Sequence, residues 1–321
     1  MFLLAGGLVS GLAPRVKKGV KKKSNMPLIQ NQSADSVRLT LSRDLTRSLR
    51  RGHPWVFSDA LKHTPQGSPG AHADLSDRRG KPVARGFYDP TSPLAFRSCT
   101  VTRKGYLNDA WAASQLEIAV ALREALIDPS HTTGYRLVNG EGDGLPGLVI
   151  DVYGDSAVLK LDGPGPEGFW DAQGIGAWIS ERLGLSRVYQ RDRTRTGPQG
   201  RPLVGEAPDA PVEFLEHGLR FSADLVRGQK TGFFLDQREN RQLIRAMAAG
   251  RRTLNVFGYT GGFSVYAAAG GAPEVTTVDI AKPAIAAAEA NMALNGLSDC
   301  HEGVAEDAFA FLGAASEAKR T

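Results

Sequence analysis

Hydrophobic and polar positions follow different periods in different parts of the chain. From residue 36 to about residue 103, short alternating runs such as residues 37–41 are separated by Pro/Gly turns, a pattern typical of a small β-barrel. Residues 111–126 then place apolar side chains at helical spacing. This stretch predicts one amphipathic helix, which Asp128-Pro129 ends.

The middle of the chain predicts a compact α+β module. Its predicted strands are residues 135–138, 148–153, 157–161 and 187–191, and its predicted helix is residues 170–183. The first two strands flank a turn-rich connector at residues 139–147, so we expect them to pair antiparallel.

Beyond Pro211 the period changes again. A hairpin is predicted over residues 213–222, a helix over residues 240–249, and strand–helix units over residues 253–269, 274–295 and about 301–313. Strands that alternate with helices favour a parallel sheet with covering helices.

Charge and composition narrow the class of protein. The net charge is +5, but residues 1–25 hold six Lys/Arg and no acid, so the remainder sums to −1. In this leader the apolar stretch precedes the basic one, the reverse of a secretory signal. Three explanations stay open: a translation extension upstream of a start at Met26, a nucleic-acid-binding arm, or membrane contact or targeting. Two cysteines are too few for a disulfide framework, and the six histidines lack the spacing of metal-ligand pairs. These counts predict a cytoplasmic protein without a metal.

The chemistry-bearing pattern is at residues 254–265, where a β-branched run breaks into glycines and then an alanine-rich helix. Such glycines let the backbone approach a ligand, although tight packing also explains them. The spacing is G-x-x-G-G rather than the G-x-G-x-x-G of dinucleotide sites. It favours S-adenosylmethionine over a nicotinamide cofactor. Asp279, ending the second strand, can bind ribose hydroxyls, and Asp307, after the third strand, can reach an adenine amino group.

Two long motifs resemble a known family. Residues 228–241 (GQKTGFFLDQRENR) and 254–263 (LNVFGYTGGF) are similar to class I S-adenosylmethionine-dependent ribosomal RNA methyltransferases of the large-subunit cytosine-C5 type. Residues 51–57 and 92–97 resemble that family's N-terminal PUA domain, and residues 139–151 resemble its central module. The resemblance implies a multidomain α/β fold: a β-barrel PUA domain, an α+β central domain and the N-terminal half of a Rossmann-like methyltransferase sheet.

The resemblance also implies functions for individual residues. Positions matching the family's cofactor contacts are Phe257, Gly258, Thr260, Gly261, Gly262, Asp279 and Asp307, and positions matching the border of its active-site cleft are Lys230, Asp236, Gln237 and Arg238. A helix cap and a surface ion pair are the alternative explanation of Asp236 and Arg238. The expected partners are S-adenosylmethionine and ribosomal RNA, with no membrane and no metal.

The same resemblance predicts the domains and a missing catalytic segment. The domains are residues 1–35, a leader that is disordered or a non-native extension; 36–105, a PUA-like RNA-binding barrel; 106–212, the linker helix and central domain; and 213–321, a truncated methyltransferase domain. Family members use a cysteine thiolate that lies later in their chains, so no catalytic residue is expected here. Cys99 and Cys300 are the remaining candidates for that thiolate.

The predicted truncation has a consequence for folding. Residues 254–257 are expected to form an unpaired sheet edge with uncovered apolar surface. We therefore expect limited proteolysis to degrade residues after about 215 faster than residues 36–210.

Basic loop residues are the candidates for RNA contact. They are Arg50, Arg51, His53 and residues 81–85 in the barrel, and Arg191, Arg193 and Arg195 in the central domain. A solvated surface is the alternative. Trp55 and Phe57 can stack on bases, but barrel core is the favoured interpretation. The leading function is a ribosomal RNA methyltransferase, and the alternative is a non-catalytic RNA-binding protein with a vestigial cofactor half-site.

Overall fold

A computed structural model describes residues 26–30, 32, 36–101, 106–192 and 200–318. The first unit contains β1 (Val37–Thr40), α1 (Thr46–Arg50), β2 (Trp55–Val56), β3 (Ala71–Ser76), β4 (Pro82–Tyr88) and β5 (Phe96–Thr100). Its strands form one sheet in the order β1-β3-β4-β5-β2. β1 and β2 are opposite edges of this sheet, so it is a half-barrel rather than the β-barrel predicted from the sequence. The segment after β2 nevertheless meets the end of β1, because Ser42 N donates to Ala60 O and Lys62 N donates to Thr40 O, each at 2.8 Å.

The half-barrel corrects the interpretation of two aromatic residues. Val56 is fully buried, whereas Trp55 and Phe57 are 39% and 46% exposed. Alternation along an extended strand puts these two side chains on the face opposite to Val56. The expectation that they belong to the barrel core is wrong.

The central unit is built on a second five-stranded sheet. Its elements are α2 (Asp109–Leu126), β6 (Gly134–Asn139), β7 (Leu148–Tyr153), β8 (Ser156–Leu161), α3 (Pro164–Phe169), α4 (Ala172–Leu183), β9 (Arg187–Arg191) and β10 (Gly200–Val204). The order is β10-β9-β8-β7-β6, and the sheet is mixed because β8 and β9 run parallel. The predicted antiparallel pairing of the first two strands, β6 and β7, is confirmed.

The segment before the half-barrel is part of the folded structure. Leu28 and Ile29 are buried in the same apolar cluster as the central unit. Their backbone N–H groups donate to Asp109 Oδ1 at 2.7 and 3.2 Å, and Ile29 bridges to Trp170. The expectation of a disordered or non-native leader is therefore wrong for residues 26–30, while residues 1–25 lie outside the described residues.

The last unit carries the predicted alternation of strands and helices. Its elements are β11 (Val212–Glu216), β12 (Leu219–Ala223), α5 (Arg238–Met247), β13 (Thr253–Val256), α6 (Gly262–Ala269), β14 (Val275–Asp279), α7 (Lys282–Leu294), β15 (His301–Ala305) and α8 (Ala308–Glu317). β11 and β12 form the expected hairpin, and β13, β14 and β15 form a parallel sheet in that order. Among the described residues, β13 pairs with β14 alone and is an edge. Tyr153 and Val158 of the central unit share one apolar cluster with Val265 and Met292 of this unit.

Candidate cofactor site

The turn between β13 and α6 is fastened to the end of the neighbouring strand. Gly258 N donates to Val278 O at 3.0 Å, and Tyr259 N donates to Asp279 Oδ2 at 2.9 Å. The other carboxylate oxygen of Asp279 accepts from Ala281 N at 3.0 Å. Asp279 thus orients the backbone that follows β13 and the backbone that follows β14.

This turn holds backbone conformations that side-chain-bearing residues rarely adopt. Phe257 and Tyr259 have φ angles of 57° and 49°. A non-glycine residue in this region costs about 1–3 kcal/mol, and such residues cluster at functional sites. The turn is therefore strained, and its neighbours hold it in place.

The glycines of the turn are required by packing within the protein. A Cβ on Gly258 would lie 2.4 Å from Thr277 Cγ2, and one on Gly261 would lie 2.7 Å from Ala288 Cβ. Gly261 also has a φ of 72°, which favours glycine. Tight packing accounts for both positions, and their contact with a ligand stays a prediction.

The carboxyl ends of the parallel strands bring several predicted residues to one edge. The rings of Phe257 and Phe309 meet edge-to-face with centroids 6.0 Å apart, and both are largely exposed. Asp307 caps α8, since its Oδ1 accepts from Phe309 N and Ala310 N at 3.0 Å. Asp279 ends β14, between the two flanking strands. These acids and exposed rings lie together at the carboxyl edge of the sheet, which we call the crevice.

The second motif forms a loop before α5. Lys230 Nζ lies 3.1 Å from both oxygens of Asp236 and 4.2 Å from the ring centroid of Phe234. Burial raises the pKa of Asp236, but the hydrogen bond and charge of Lys230, together with hydrogen bonds from the backbone and Gln237, lower it, and the net pKa is lowered. Arg238 Nε pairs with Glu239 at 2.9 Å. Asp236 and Arg238 therefore both form surface ion pairs, as the alternative explanation expects. The helix cap that the same explanation expects is absent, since no side chain caps α5.

Tyr259 joins the cofactor turn to that loop and was missed by sequence reasoning. Its hydroxyl accepts from Gln229 N at 2.8 Å and donates to Gly232 O at 3.4 Å. Arg191, predicted to bind RNA, donates to Gly228 O at 2.5 Å. An aromatic residue within a glycine-rich turn carries no sequence signal for these contacts.

A buried network anchors the loop on the central unit. Thr231 donates to Asp151 Oδ2 at 2.6 Å, and the guanidinium of Arg136 binds both oxygens of Asp151 at 2.8 and 3.0 Å. The hydroxyls of Tyr153 and Thr231 are 3.0 Å apart, and burial raises the pKa of Tyr153. Asp151 lies at the end of the central motif, the one sequence signal that pointed to this network.

The two cysteines are poorly placed as nucleophiles at this crevice. Burial raises the pKa of Cys99 well above its usual value, which disfavours the reactive thiolate. Cys300 precedes β15 at the end opposite to the crevice, and its Sγ donates to Leu297 O at 3.3 Å. The geometry favours neither residue.

The predicted RNA contacts have different surroundings. Arg50, Arg51 and His53 are exposed around the end of α1, whereas Arg193 and Arg195 lie outside the described residues. In the part of the chain that the structure describes, no helix is long and apolar enough to cross a bilayer. No cluster of three or more potential metal ligands is found among the same residues.

Comparison with known proteins identifies the class of protein. Residues 173–309 match the family of S-adenosylmethionine-dependent methyltransferases, and residues 39–100 match the PUA-like domain. A putative SAM-dependent methyltransferase from Streptococcus mutans superposes with a TM-score of 0.77 at 25% identity, over 89% of this chain and 74% of that one. Another solved structure with the same scores is a putative methyltransferase complexed with SAH, S-adenosylhomocysteine. The family match and these solved structures show that the chain is an S-adenosylmethionine-dependent methyltransferase, an enzyme that uses this cofactor.

Two curated relatives define the family more closely. The ribosomal RNA large subunit methyltransferase of Deinococcus radiodurans is 42% identical over 304 residues, which cover 87% of this chain and 72% of the relative. The ribosomal RNA large subunit methyltransferase I of Shewanella denitrificans is 38% identical over 275 residues, covering 83% and 68%. The chain belongs to the family of ribosomal RNA large subunit methyltransferases.

Proposed function

We propose that this protein methylates cytosine C5 of large-subunit ribosomal RNA, with S-adenosylmethionine held in the crevice at the carboxyl ends of β13, β14 and β15. The observation that carries the cofactor site is the strained turn bound to Asp279 through Tyr259 N. The backbone strain of this turn costs free energy. Such strain persists only where the surrounding structure holds it, and it is concentrated at functional sites. The names of the curated relatives support ribosomal RNA as the substrate.

The residues fit a nucleoside with vicinal hydroxyls. Each oxygen of Asp279 accepts one backbone hydrogen bond, and a carboxylate oxygen has a second lone pair to offer to a ribose hydroxyl. Asp307 uses Oδ1 for its helix cap, and we assign Oδ2 to the adenine amino group. The remaining proposed contacts are Phe257, Gly258, Thr260, Gly261 and Gly262.

The cofactor supplies the methyl group, and the protein must activate the base. Cytosine C5 is a weak nucleophile, so the activation we propose is a thiolate that adds at C6; after methyl transfer to C5, a base would remove the C5 proton while the C6–S bond breaks and releases the thiolate. Cys99 and Cys300 are unsuited to this role, and no catalytic residue is assigned among the described residues. Lys230, Asp236, Gln237 and Arg238 are proposed to border the cleft that receives the base.

Calorimetry with S-adenosylhomocysteine and with NADH tests the cofactor assignment. We expect S-adenosylhomocysteine to bind and NADH not to bind. Asp279→Asn keeps the size of the side chain but loses its charge, so it should weaken S-adenosylhomocysteine binding about 10- to 100-fold. Asp299→Asn, on an exposed aspartate before β15, is the matched control and should bind as the unmodified chain does.

Two results would contradict this assignment: NADH binding at the same site, or an unchanged affinity in Asp279→Asn. The base is tested separately with labelled S-adenosylmethionine and large-subunit ribosomal RNA. Transfer by this chain to a position other than cytosine C5 would refute the substrate atom. Transfer to cytosine C5 would support the proposed substrate atom.

A further inference from the structure

An exposed aromatic ring stands on the edge strand of the half-barrel. Trp55 lies on β2, and alternation places it and Phe57 on the outer face while Val56 fills the core. Trp55 is 39% exposed. The side chain therefore contributes contact surface that the core does not use.

The orientation of this ring is fixed by the central unit. Trp55 Nε1 donates to Glu141 Oε1 at 2.9 Å, and the same oxygen accepts from Arg97 Nη1. The His53 ring meets the indole edge-to-face, with centroids 6.2 Å apart and planes at 88°. Because its polar edge is already bonded, the indole needs no further partner for its N–H, and its rotamer is restricted before any ligand arrives.

The electrostatic surroundings favour an anion. Arg50 and Arg51 are exposed a few residues before Trp55, and neither has an ion-pair partner among the described residues. Asp44 interacts electrostatically with Arg50, whereas Glu141 and Asp162, near Trp55, are both paired with Arg97. Exposed cations beside a fixed, exposed indole are the combination with which proteins bind single-stranded nucleic acid.

We propose that Trp55 is a stacking platform for one base of a single-stranded RNA segment, with Arg50 and Arg51 on the flanking phosphates. This inference rests on the proposed function, because it assigns a docking site to the same RNA substrate. Stacking suits this site because every base has an aromatic face, and the indole has no spare polar group to read a base edge.

The test measures binding of the full chain to a short fluorescent single-stranded RNA and to an abasic oligonucleotide of equal length. Trp55→Ala should weaken binding of the intact RNA about 10-fold and leave abasic binding unchanged, because only the base contact is lost. Trp55→Phe keeps a ring and should lose much less. Leu126→Ala, which removes another exposed apolar side chain, is the control and should have no effect.

Salt dependence separates the platform from its arginines. Trp55→Ala should leave the slope of log affinity against log salt unchanged, whereas Arg50→Ala and Arg51→Ala should each reduce it by about 0.7. The stacking platform is refuted if Trp55→Ala weakens binding of the intact RNA and of the abasic oligonucleotide equally, or if it weakens neither. Either result would mean that the exposed face of β2 does not stack on RNA bases. S-adenosylhomocysteine affinity should be unchanged in Trp55→Ala, so failure of this inference is distinct from failure of the cofactor site.

Discussion

Arg241 and Glu216 form an ion pair that is withdrawn from water. Their side chains are 2% and 0% exposed, and Arg241 Nε and Nη2 each lie 2.7 Å from an oxygen of Glu216. Arg241 also donates to Phe234 O at 3.0 Å. One side chain thus holds α5, the hairpin and the loop before α5 together.

Removing one partner of this pair should destabilise the fold strongly. Arg241→Ala leaves a buried carboxylate without its countercharge, and we expect a loss of about 3–5 kcal/mol in the free energy of unfolding, measured by urea denaturation. Arg252→Ala breaks an exposed pair with Glu274 and should have little effect. Equal midpoints for the two variants would show that the buried pair does not hold the unit together.

Individual residues show where sequence reasoning stops. The sequence predicts the place of Asp279 because an acid after a predicted strand has a defined position in a parallel sheet, and the structure puts it beside the turn. For Trp55 the sequence favours the core, because aromatic residues in a β-pattern usually pack on a half-buried surface. Whether a strand residue faces inward depends on register, which a two-residue edge strand scarcely encodes.

At the scale of elements, the turn between β13 and α6 combines left-handed backbone with close packing. Gly261 needs its positive φ and also has no room for a side chain beside Ala288. Gly250 has a similar φ of 68° but nothing within 4 Å of its would-be Cβ. Comparing alanine substitutions at these two glycines therefore distinguishes the free-energy cost of the left-handed backbone from the cost of steric overlap.

Gly261→Ala should therefore cost more than Gly250→Ala. The left-handed conformation costs about 1–2 kcal/mol in either variant, and the overlap with Ala288 adds about 1–3 kcal/mol for Gly261→Ala alone. Thermal unfolding gives the difference, and calorimetry should show weaker S-adenosylhomocysteine binding for Gly261→Ala only. Equal unfolding free energies would mean that the turn can move away from α7 without cost.

The strand–helix units can be predicted from the sequence because hydrophobic residues recur at different spacings in strands and in helices. The hairpin and all three units appear where the sequence placed them. The helix predicted from residue 170 begins instead at Ala172, because Asp171 accepts from Gly174 N and caps it. α3 and β10 were not predicted, since the proline and glycine in both argue against regular structure.

At the scale of the molecule, the last unit has the less protected sheet. β13 is an edge among the described residues, and several apolar side chains around it are exposed, namely Leu254, Phe257, Ile280, Phe309 and Leu312. The five-stranded sheet of the central unit, by contrast, is packed into a large apolar cluster with α2 and α4. The stability of the chain is therefore uneven.

Limited proteolysis should reveal this difference. We expect residues after about 215 to be degraded faster than residues 36–210. A three-stranded sheet with β13 at its edge should open locally more often than the five-stranded sheet of the central unit. Saturating S-adenosylhomocysteine should slow the cleavage, since a ligand stabilises the state that binds it. Mass spectrometry of the fragments identifies the cut sites, and equal resistance of the two regions would be incompatible with this view.

The order of the units was readable from the sequence, but their connections were not. Leu28 and Ile29 are held by Asp109, some eighty residues further along the chain, so no local pattern predicts their burial. The same holds for the bond between Thr231 and Asp151. Long-range polar contacts of this kind depend on tertiary structure, which periodicity does not encode.

The contacts of Glu141 also have a geometric consequence. Arg97 and Trp55 of the half-barrel both bind this carboxylate of the central unit, and the central unit shares an apolar cluster with the unit that carries the crevice. The span from Trp55 to the turn at residues 257–262 is then set by contacts within the protein. With the proposed stacking of one base on Trp55, this fixed span would select the target by the number of nucleotides between the stacked base and the base that is methylated.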